Sequence, residues 1–194
     1  MCASFKIGIF GSAGGNAQEK NVAKARALGE ALAEHGCTII TGACGGLPYA
    51  AAEAASQKGA KVWGFTPAPD GDGHARLYPD QDANIYSRLI YTPREFLYVQ
   101  DVKVSRKYRN VMSTAECDAG IVIAGRWGTL HEFCALYDYG KVVGVLTNTG
   151  GIADELRGLC KKIKKDTGTK VFFNRSPTQL VETIIQELIT RKNT

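Results

Sequence analysis

Short apolar runs alternate along the chain with longer segments in which apolar residues recur every three or four positions. Continuous apolar runs are typical of strands that are covered on both faces, and the longer spacing is typical of helices that bury one face. The predicted strands occupy residues 5–10, 37–41, 61–65, 119–124, 142–146 and 171–173, with a further short strand near 88–91. Because helical segments separate the strands, we predict an α/β fold, namely a single-domain doubly wound (Rossmann-like) parallel sheet with helices on both faces.

Two parts of this pattern carry expectations about particular side chains. In the helix before the strand at 119–124, the apolar spacing predicts that Tyr108, Val111 and Met112 face the core. Arg109 and Asn110 then lie on another side of that helix. Between residues 67 and 93 the pattern breaks down, and a loop of this length is usually functional or mobile. Its stretch at 70–74 (DGDGH) is similar to part of a calcium loop but lacks the final acidic ligand, so we predict a turn there.

Composition and charge exclude several classes of protein. The 194 residues are 44% hydrophobic and 22% charged with a formal net charge of +5, which is ordinary for a globular chain. No apolar run is long enough to span a membrane and the first residues lack a signal-peptide pattern, so we expect a cytoplasmic protein without membrane association. The basic residues are scattered apart from clusters at 103–109 and 161–165, which does not favour nucleic acid as a partner. The six cysteines and three histidines form no metal-ligand spacing, and we predict neither a metal site nor a cofactor.

Three glycine-rich turns follow predicted strands, at residues 11–15, 42–46 and 125–128. Loops after the carboxyl ends of parallel strands share one edge of the sheet, where ligands bind. Each turn lies at or just before the start of a helix, where free backbone N–H groups and the helix dipole favour an anion such as phosphate. The P-loop pattern is missing from the sequence. The dinucleotide fingerprint is missing as well, since the second predicted strand ends in Thr41 rather than in an acidic residue. The sequence therefore predicts a mononucleotide or a similar phosphorylated small molecule as the ligand.

Two charged residues near these turns are candidates for chemistry, and each also has a simpler structural interpretation. Glu132 follows Thr129 by three residues, a spacing typical of a capping box, in which the carboxylate would bond only to the backbone N–H of Thr129. From the residues alone, capping is the favoured interpretation of Glu132. Arg109 lies on the helix before the strand at 119–124, where it is either a solvated helix arginine or a ligand contact.

These charged residues and the third glycine turn lie in a motif with fixed spacing. Arg109-Asn110 stands nine residues before Asp118-Ala119, and the segment at 124–132 (AGRWGTLHE) follows. This arrangement resembles the LOG (LONELY GUY) family, also labelled possible lysine decarboxylases, in which Arg-Lys or Arg-Asn precedes Asp-Ala and then P-G-G-x-G-T-x-x-E. The segments at 8–12 (GIFGS) and 42–47 (GACGGL) are similar to the opening turn and the G-G-x-x-G segment of that family. The resemblance covers residues 5–185.

LOG enzymes are phosphoribohydrolases, which cleave the N-glycosidic bond of adenine-type nucleoside 5′-monophosphates and release the base and ribose 5-phosphate. The resemblance implies that Arg109 and Glu132 are the catalytic pair and that the glycine turns hold the phosphate. The candidate ligand-binding residues in or beside these turns are Gly11, Ser12, Gly42, Gly45, Gly46, Asn110, Gly125, Arg126, Gly128 and Thr129. The resemblance also implies a homodimer or a higher homo-oligomer.

Three positions depart from the LOG pattern: Ala124 replaces its proline, Arg126 its second glycine and Pro48 a methionine. In addition, Asn110 replaces the lysine of the cytokinin-activating group within the family. The Arg-Asn form is more similar to the branch of the superfamily that includes molybdenum-cofactor carrier proteins. The first functional prediction is thus a nucleoside 5′-monophosphate phosphoribohydrolase, formed by a single nucleotide-binding domain over residues 1–194. The alternative is a non-catalytic protein of the same fold that binds or carries a nucleotide or the molybdenum cofactor, a phosphorylated pterin.

Overall fold

The computed structural model describes residues 5–14 and 17–193, so Gly15 of the first predicted glycine turn lies outside the described residues. The strands are β1 (Lys6–Gly11), β2 (Thr38–Thr41), β3 (Val62–Phe65), β4 (Arg88–Ile90), β5 (Ala119–Ile123), β6 (Val142–Leu146) and β7 (Val171–Asn174). The helices are α1 (Glu19–Glu34), α2 (Gly46–Gln57), α3 (Gly71–Leu77), α4 (Val102–Glu116), α5 (Trp127–Asp138), α6 (Ile152–Lys162) and α7 (Pro177–Lys192). Within the described ranges, none of these helices is long and apolar enough to cross a membrane.

All seven strands form one parallel sheet in the order β4-β3-β2-β1-β5-β6-β7. The chain builds the sheet outward from β1 to β4, then crosses back to place β5 on the other side of β1. The strand order therefore reverses between β1 and β5, and a ligand crevice is expected at the carboxyl ends of these two strands. The predicted doubly wound α/β fold is confirmed.

Two hydrophobic layers cover the sheet, one on each face. On one face, Ile7 and Ile9 of β1 pack with apolar side chains of α1, α2 and α7, including the fully buried Leu28. On the other face, Phe10 and Val122 pack with side chains of α5 and α6. Neighbouring residues of a strand point to opposite faces, so continuous apolar runs are what this two-sided burial requires.

The segment between β3 and α4 contains more regular structure than the one short strand that the sequence pattern predicted. Residues 70–74, expected to form a turn, instead begin helix α3, and the carboxylate of Asp70 caps it by accepting a 2.8 Å hydrogen bond from the N–H of Gly73. A short 3₁₀ helix (Ala83–Ile85) and β4 follow, the latter close to its predicted position. The segment is thereby held against the edge of β3 rather than forming one long loop.

The orientation of α4 is opposite to the predicted one. Arg109 and Asn110 are buried, whereas Val111 and Met112 are 38% and 42% exposed. The buried hydroxyl of Thr114 on the same face donates a 2.7 Å hydrogen bond to the carbonyl of Asn110, so the polar face is satisfied partly within the helix. The apolar spacing correctly predicted which residues share a face of α4. Val111 and Met112 of that face lie on the surface rather than in the core.

Close contact between α1 and α2 requires a residue without a side chain at Gly29. A Cβ atom added there would collide with the backbone carbonyl of Ala51 in α2. We expect Gly29→Ala to lower the free energy of unfolding by about 2 kcal/mol, because overpacking outweighs the gain in helix propensity. Urea unfolding measures this change.

Gly158→Ala is the matched control, because Gly158 lies inside α6 and an added Cβ would meet no atom within 4 Å. We expect this substitution to be neutral or to stabilise the protein by up to about 1 kcal/mol. Equal effects of the two substitutions would contradict the close α1–α2 contact.

Candidate functional site

A cavity of about 530 Å³ opens at the carboxyl edge of the sheet, where the strand order reverses. The turns after β1, β2 and β5 border it, together with one face of α4. The residues predicted from the sequence that line it are Gly11, Ser12, Gly42, Gly45, Arg109, Asn110, Arg126, Gly128, Thr129 and Glu132. Gly46 and Gly125 do not line it. The structure thus brings most of the predicted site together, while the roles of these residues remain predictions.

Ser12 joins the three glycine turns to one another. Its hydroxyl accepts a 3.0 Å hydrogen bond from the N–H of Gly125, and its carbonyl accepts a 2.9 Å bond from the N–H of Leu47. Gly46, with φ of 74°, packs so closely on the backbone of Ser12 that a Cβ there would collide with it. Gly46 and Gly125 therefore shape the site from behind rather than facing it.

Arg109 reaches from α4 across the turn after β2. A Cβ atom added to Gly42 would overlap the Arg109 guanidinium, so this turn needs glycine. Arg109 is only 7% exposed, and its Nε atom has no hydrogen-bond partner among the residues that the structure describes. Cys44 and Tyr78 lie near the guanidinium. A buried cation whose donor is left unpaired at a cavity is suited to binding an anionic or oxygen-rich ligand.

Glu132 lies on α5 and is 7% exposed at the cavity wall. Burial raises the pKa of its carboxyl to about 7, although the positive charges of Arg109 and Lys107 act in the opposite direction. Among the described residues, Glu132 forms no salt bridge within 4.0 Å. A buried carboxyl with a pKa near neutrality is typical of general acid–base chemistry.

The capping box that the sequence favoured for Glu132 does not form. Helix α5 begins at Trp127 with Arg126 as its N-cap residue, so Thr129 is already inside the first turn. The helix starts early because Ala124 and Gly125 have φ angles of 50° and 94°, which turn the chain sharply after β5. The carboxylate of Glu132 is thereby free to face the cavity. A proline could not adopt the φ angle of Ala124, which accounts for the departure from the LOG pattern at this position.

The first turn of α5 offers the clearest anion site in the cavity. Intrahelical bonding begins with the N–H of Leu130, which donates to the carbonyl of Arg126, so the amides of Trp127, Gly128 and Thr129 have no partner among the described residues. A Cβ at Gly128 would meet no atom of the described residues within 4 Å, so a ligand could approach its backbone closely.

The turn before α2 is less suited to an anion. The N–H of Leu47 is already bonded to Ser12, and Pro48 has no N–H to donate. Glycines 42 and 45 therefore provide close approach to the cavity more than hydrogen-bond donors.

Several lining residues were not predicted from the sequence: Cys44, Tyr78, Gln81, Lys103, Arg106 and Lys107. The three basic residues were visible as a charge cluster, but the inverted orientation of α4 concealed their position. Tyr78 and Gln81 come from the segment at 67–93, where no periodic signal pointed to the cavity. Across residues 5–14 and 17–193, no three His, Cys, Asp or Glu side chains meet as potential metal ligands.

Comparison with known proteins supports the motif-based prediction. The model of the SLOG cluster4 family matches residues 4–181. The chain belongs to this family. The predicted membership in the LOG-like superfamily is therefore confirmed. No curated protein matches the sequence.

Solved structures share the fold of this SLOG cluster4 protein over nearly its whole length. TM1055, a structural genomics target, is 20% identical and covers 94% of this chain and 99% of its own, with a TM-score of 0.76. The molybdenum cofactor carrier protein of Chlamydomonas reinhardtii is 16% identical, covers 97% and 99% of the two chains, and has a TM-score of 0.69. The single-stranded DNA-binding protein DprA of Helicobacter pylori is 18% identical, covers 96% and 81%, and has a TM-score of 0.66. At these identities the likeness establishes the fold.

The burial of Glu132 predicts a specific pH dependence of stability. Because the fold raises the pKa of its carboxyl from 4.5 to about 7, the folded state binds this proton more tightly than the unfolded state does. The free energy of unfolding therefore falls as pH rises from about 5 to about 8, by an amount on the order of 3 kcal/mol for this group. Glu132→Gln removes that part of the pH dependence and is more stable than the parent at the higher pH.

Urea unfolding of both proteins across this pH range measures the difference. Glu182→Gln, at an exposed carboxylate on α7, is the control and is expected to follow the parent. Parallel stability curves for the parent and Glu132→Gln would show that the buried carboxyl does not hold its proton in this way.

Proposed function

We propose that this protein binds a nucleoside 5′-monophosphate in the cavity and hydrolyses its N-glycosidic bond. The observation that carries the proposal is the position of Glu132: a buried carboxyl at the wall of a cavity whose floor holds Arg109 and whose edge offers the free amides of α5. These three features supply a base, a cation and a phosphate site in one place.

The chemistry follows from these groups. The 5′-phosphate binds at the first turn of α5, and Arg109 bonds ribose or phosphate oxygens. As the bond between C1′ and the base nitrogen breaks, the electron pair leaves with the base, which takes up a proton, and positive charge develops on the sugar. The carboxylate of Glu132 stabilises that charge and accepts the proton of the water that attacks C1′. The products are the free base and ribose 5-phosphate.

A second candidate function is the binding of a phosphorylated pterin without turnover. The fold shared with a molybdenum cofactor carrier protein supports it, as does Arg126, which lines the cavity at a position where the LOG pattern has a glycine. A carrier needs the same phosphate site but has no use for a base that ionises near neutral pH. The raised pKa of the Glu132 carboxyl therefore favours the hydrolase over the carrier.

Incubation with AMP tests the hydrolase directly. Chromatography measures the release of adenine. We expect the rate of release to increase as pH rises through the pKa of about 7 at Glu132, because the ionised carboxylate is the active form. Glu132→Gln is expected to lower the rate about a hundredfold or more. Glu182→Gln serves as the matched control and should retain the parent rate.

If the parent protein releases no base from AMP or from other purine and pyrimidine 5′-monophosphates, the hydrolase proposal is wrong. Saturable binding of a phosphorylated pterin by the same preparation would then support the carrier. Equal activity of the parent and Glu132→Gln would remove Glu132 from the chemistry.

We also propose that two copies of the chain pair through the α4 apolar face, defined by Val104, Tyr108, Val111, Met112 and Ala115. These residues lie on one side of the helix, and Val104, Val111 and Met112 are each more than a third exposed. A contiguous exposed apolar stripe is typical of an interaction surface. A helix face packs readily against its own copy about a two-fold axis, because the same patch then serves both partners.

The mass of the protein in solution tests this pairing. We expect light scattering coupled to size exclusion to give a dimer for the parent and a monomer for Val111→Glu/Met112→Glu, because two buried carboxylates would be unpaired in the interface. Ile163→Glu, at a 63% exposed apolar residue after α6, is the control and should leave the dimer intact. A monomeric parent, or a double variant that stays dimeric, would exclude this interface.

A further inference from the structure

The cavity is more positive than one phosphate group requires. Five cationic side chains line it, against one carboxyl, that of Glu132, among its described lining residues. The cations are Lys103, Arg106, Lys107, Arg109 and Arg126. A nucleoside 5′-monophosphate has at most about two negative charges near neutral pH. Bound alone beside an ionised Glu132, it would leave about two of these five positive charges uncompensated.

The α4 cationic ridge (Lys103, Arg106 and Lys107) has no acidic partner within the described part of the chain. The salt bridges found there use other cations, such as Lys6 and Arg26, and none uses the ridge. Asp101 is nearby in sequence, but its carboxylate caps α4 by accepting bonds from the backbone N–H groups of Lys103 and Val104. The ridge is therefore exposed to the cavity without internal compensation.

The ridge also lies near the N-terminus of α4, where cations do not stabilise a helix. Lys103 lies in the first turn, where the positive end of the helix dipole disfavours a cation, and Arg106 and Lys107 follow in the second turn. By contrast, Lys161 and Lys162 lie in the last turn of α6, where cations are favourable. The placement of the ridge is thus better explained by a ligand than by the helix itself.

The spacing along α4 separates the ridge from the floor of the cavity. Lys103 precedes Arg109 by six residues, which corresponds to about 9 Å along the helix axis. Arg109 lies over Gly42, and Tyr78 lies near both Arg109 and Arg106. A phosphate group held by Arg109 and the first turn of α5 would therefore leave Lys103, at the far end of the ridge, for a second anionic group.

We propose that the ligand is a nucleotide with a second phosphoryl group, and that this group binds the α4 cationic ridge. The proposal rests on the proposed function, since it takes the first phosphate to lie at α5. A 5′-diphosphate or a bisphosphate supplies the required chemistry, with charge-assisted hydrogen bonds to Lys103, Arg106 and Lys107. Arg109, which lines the cavity, then contacts the ribose or the first phosphate.

Calorimetric titration of the full chain tests the proposal with probes that differ by one phosphoryl group. AMP is compared with ADP and with adenosine 3′,5′-bisphosphate, and inorganic phosphate is compared with pyrophosphate, which removes any dependence on the base. We expect ADP or the bisphosphate to bind about tenfold or more tightly than AMP, and pyrophosphate to bind about tenfold or more tightly than inorganic phosphate. The stronger of ADP and the bisphosphate identifies where the second group is attached.

Lys103→Ala/Lys107→Ala is expected to bring the affinity ratio between the diphosphorylated and monophosphorylated probes close to one. Lys161→Ala/Lys162→Ala, which removes two exposed lysines at the end of α6, is the matched control and should retain the parent ratio. Circular dichroism confirms that both double variants are folded. Equal affinity for the paired probes in the parent, or a preference that survives loss of the ridge lysines, overturns the proposal.

Two further outcomes are distinct from these. A short single-stranded oligonucleotide that binds more tightly than ADP, through the same lysines, would overturn the small-ligand proposal in favour of nucleic acid. Adenine release from AMP, ADP and the bisphosphate reports on the proposed hydrolysis separately. Release without a preference for the second phosphoryl group rejects only this inference, and the preference without release rejects only the hydrolysis.

Discussion

The site depends on Ser12, the residue that follows the central strand. β1 lies between β2 and β5, so its carboxyl end meets the turns of both neighbours. The Ser12 hydroxyl bonds to the turn after β5 and its carbonyl bonds to the start of α2, at 3.0 and 2.9 Å. These two bonds fix the distance between the glycine turns and therefore the width of the cavity. A doubly wound sheet always places these turns on one edge, but it needs a specific contact of this kind to hold them in register.

The cavity that results keeps two charged side chains out of water without pairing them directly. Arg109 and Glu132 are each 7% exposed, and neither takes part in a salt bridge of the described structure. Burial of unpaired charge destabilises a fold, and the Glu132 carboxyl responds by holding its proton to a pKa of about 7. A chain with no use for these groups would be more stable with apolar residues here. The cost in stability is thus an argument for function that is independent of the motif.

The sequence was sufficient for the sheet but only partly sufficient for the site. Strands such as β5 were predicted within one or two residues because their apolar runs are buried on both faces, and burial is what the pattern reports. The glycine turns were found because a sharp turn after a parallel strand needs glycine. The capping box at Thr129 was wrong, since its spacing says nothing about where α5 begins, and the φ angle of Gly125 decides that. Tyr78 reaches the cavity through a tertiary contact that leaves no periodic signal.

Helix α4 shows most clearly what a periodic pattern leaves open. The period identifies an apolar side and a polar side, and a water-soluble monomer would bury the apolar one. Here the polar side faces the cavity, because Arg109 and Asn110 line it, and the apolar side lies on the surface. This orientation of α4 is stabilised when the polar side forms hydrogen bonds within the chain or with a ligand, and when the apolar side packs against another protein surface. A partner packed on Val111 and Met112 would hold the same helix that carries the cavity cations, so pairing and ligand binding would stabilise one rigid element from opposite sides. The proposed phosphorylated ligand and the proposed second copy of the chain would therefore contact two different faces of one helix.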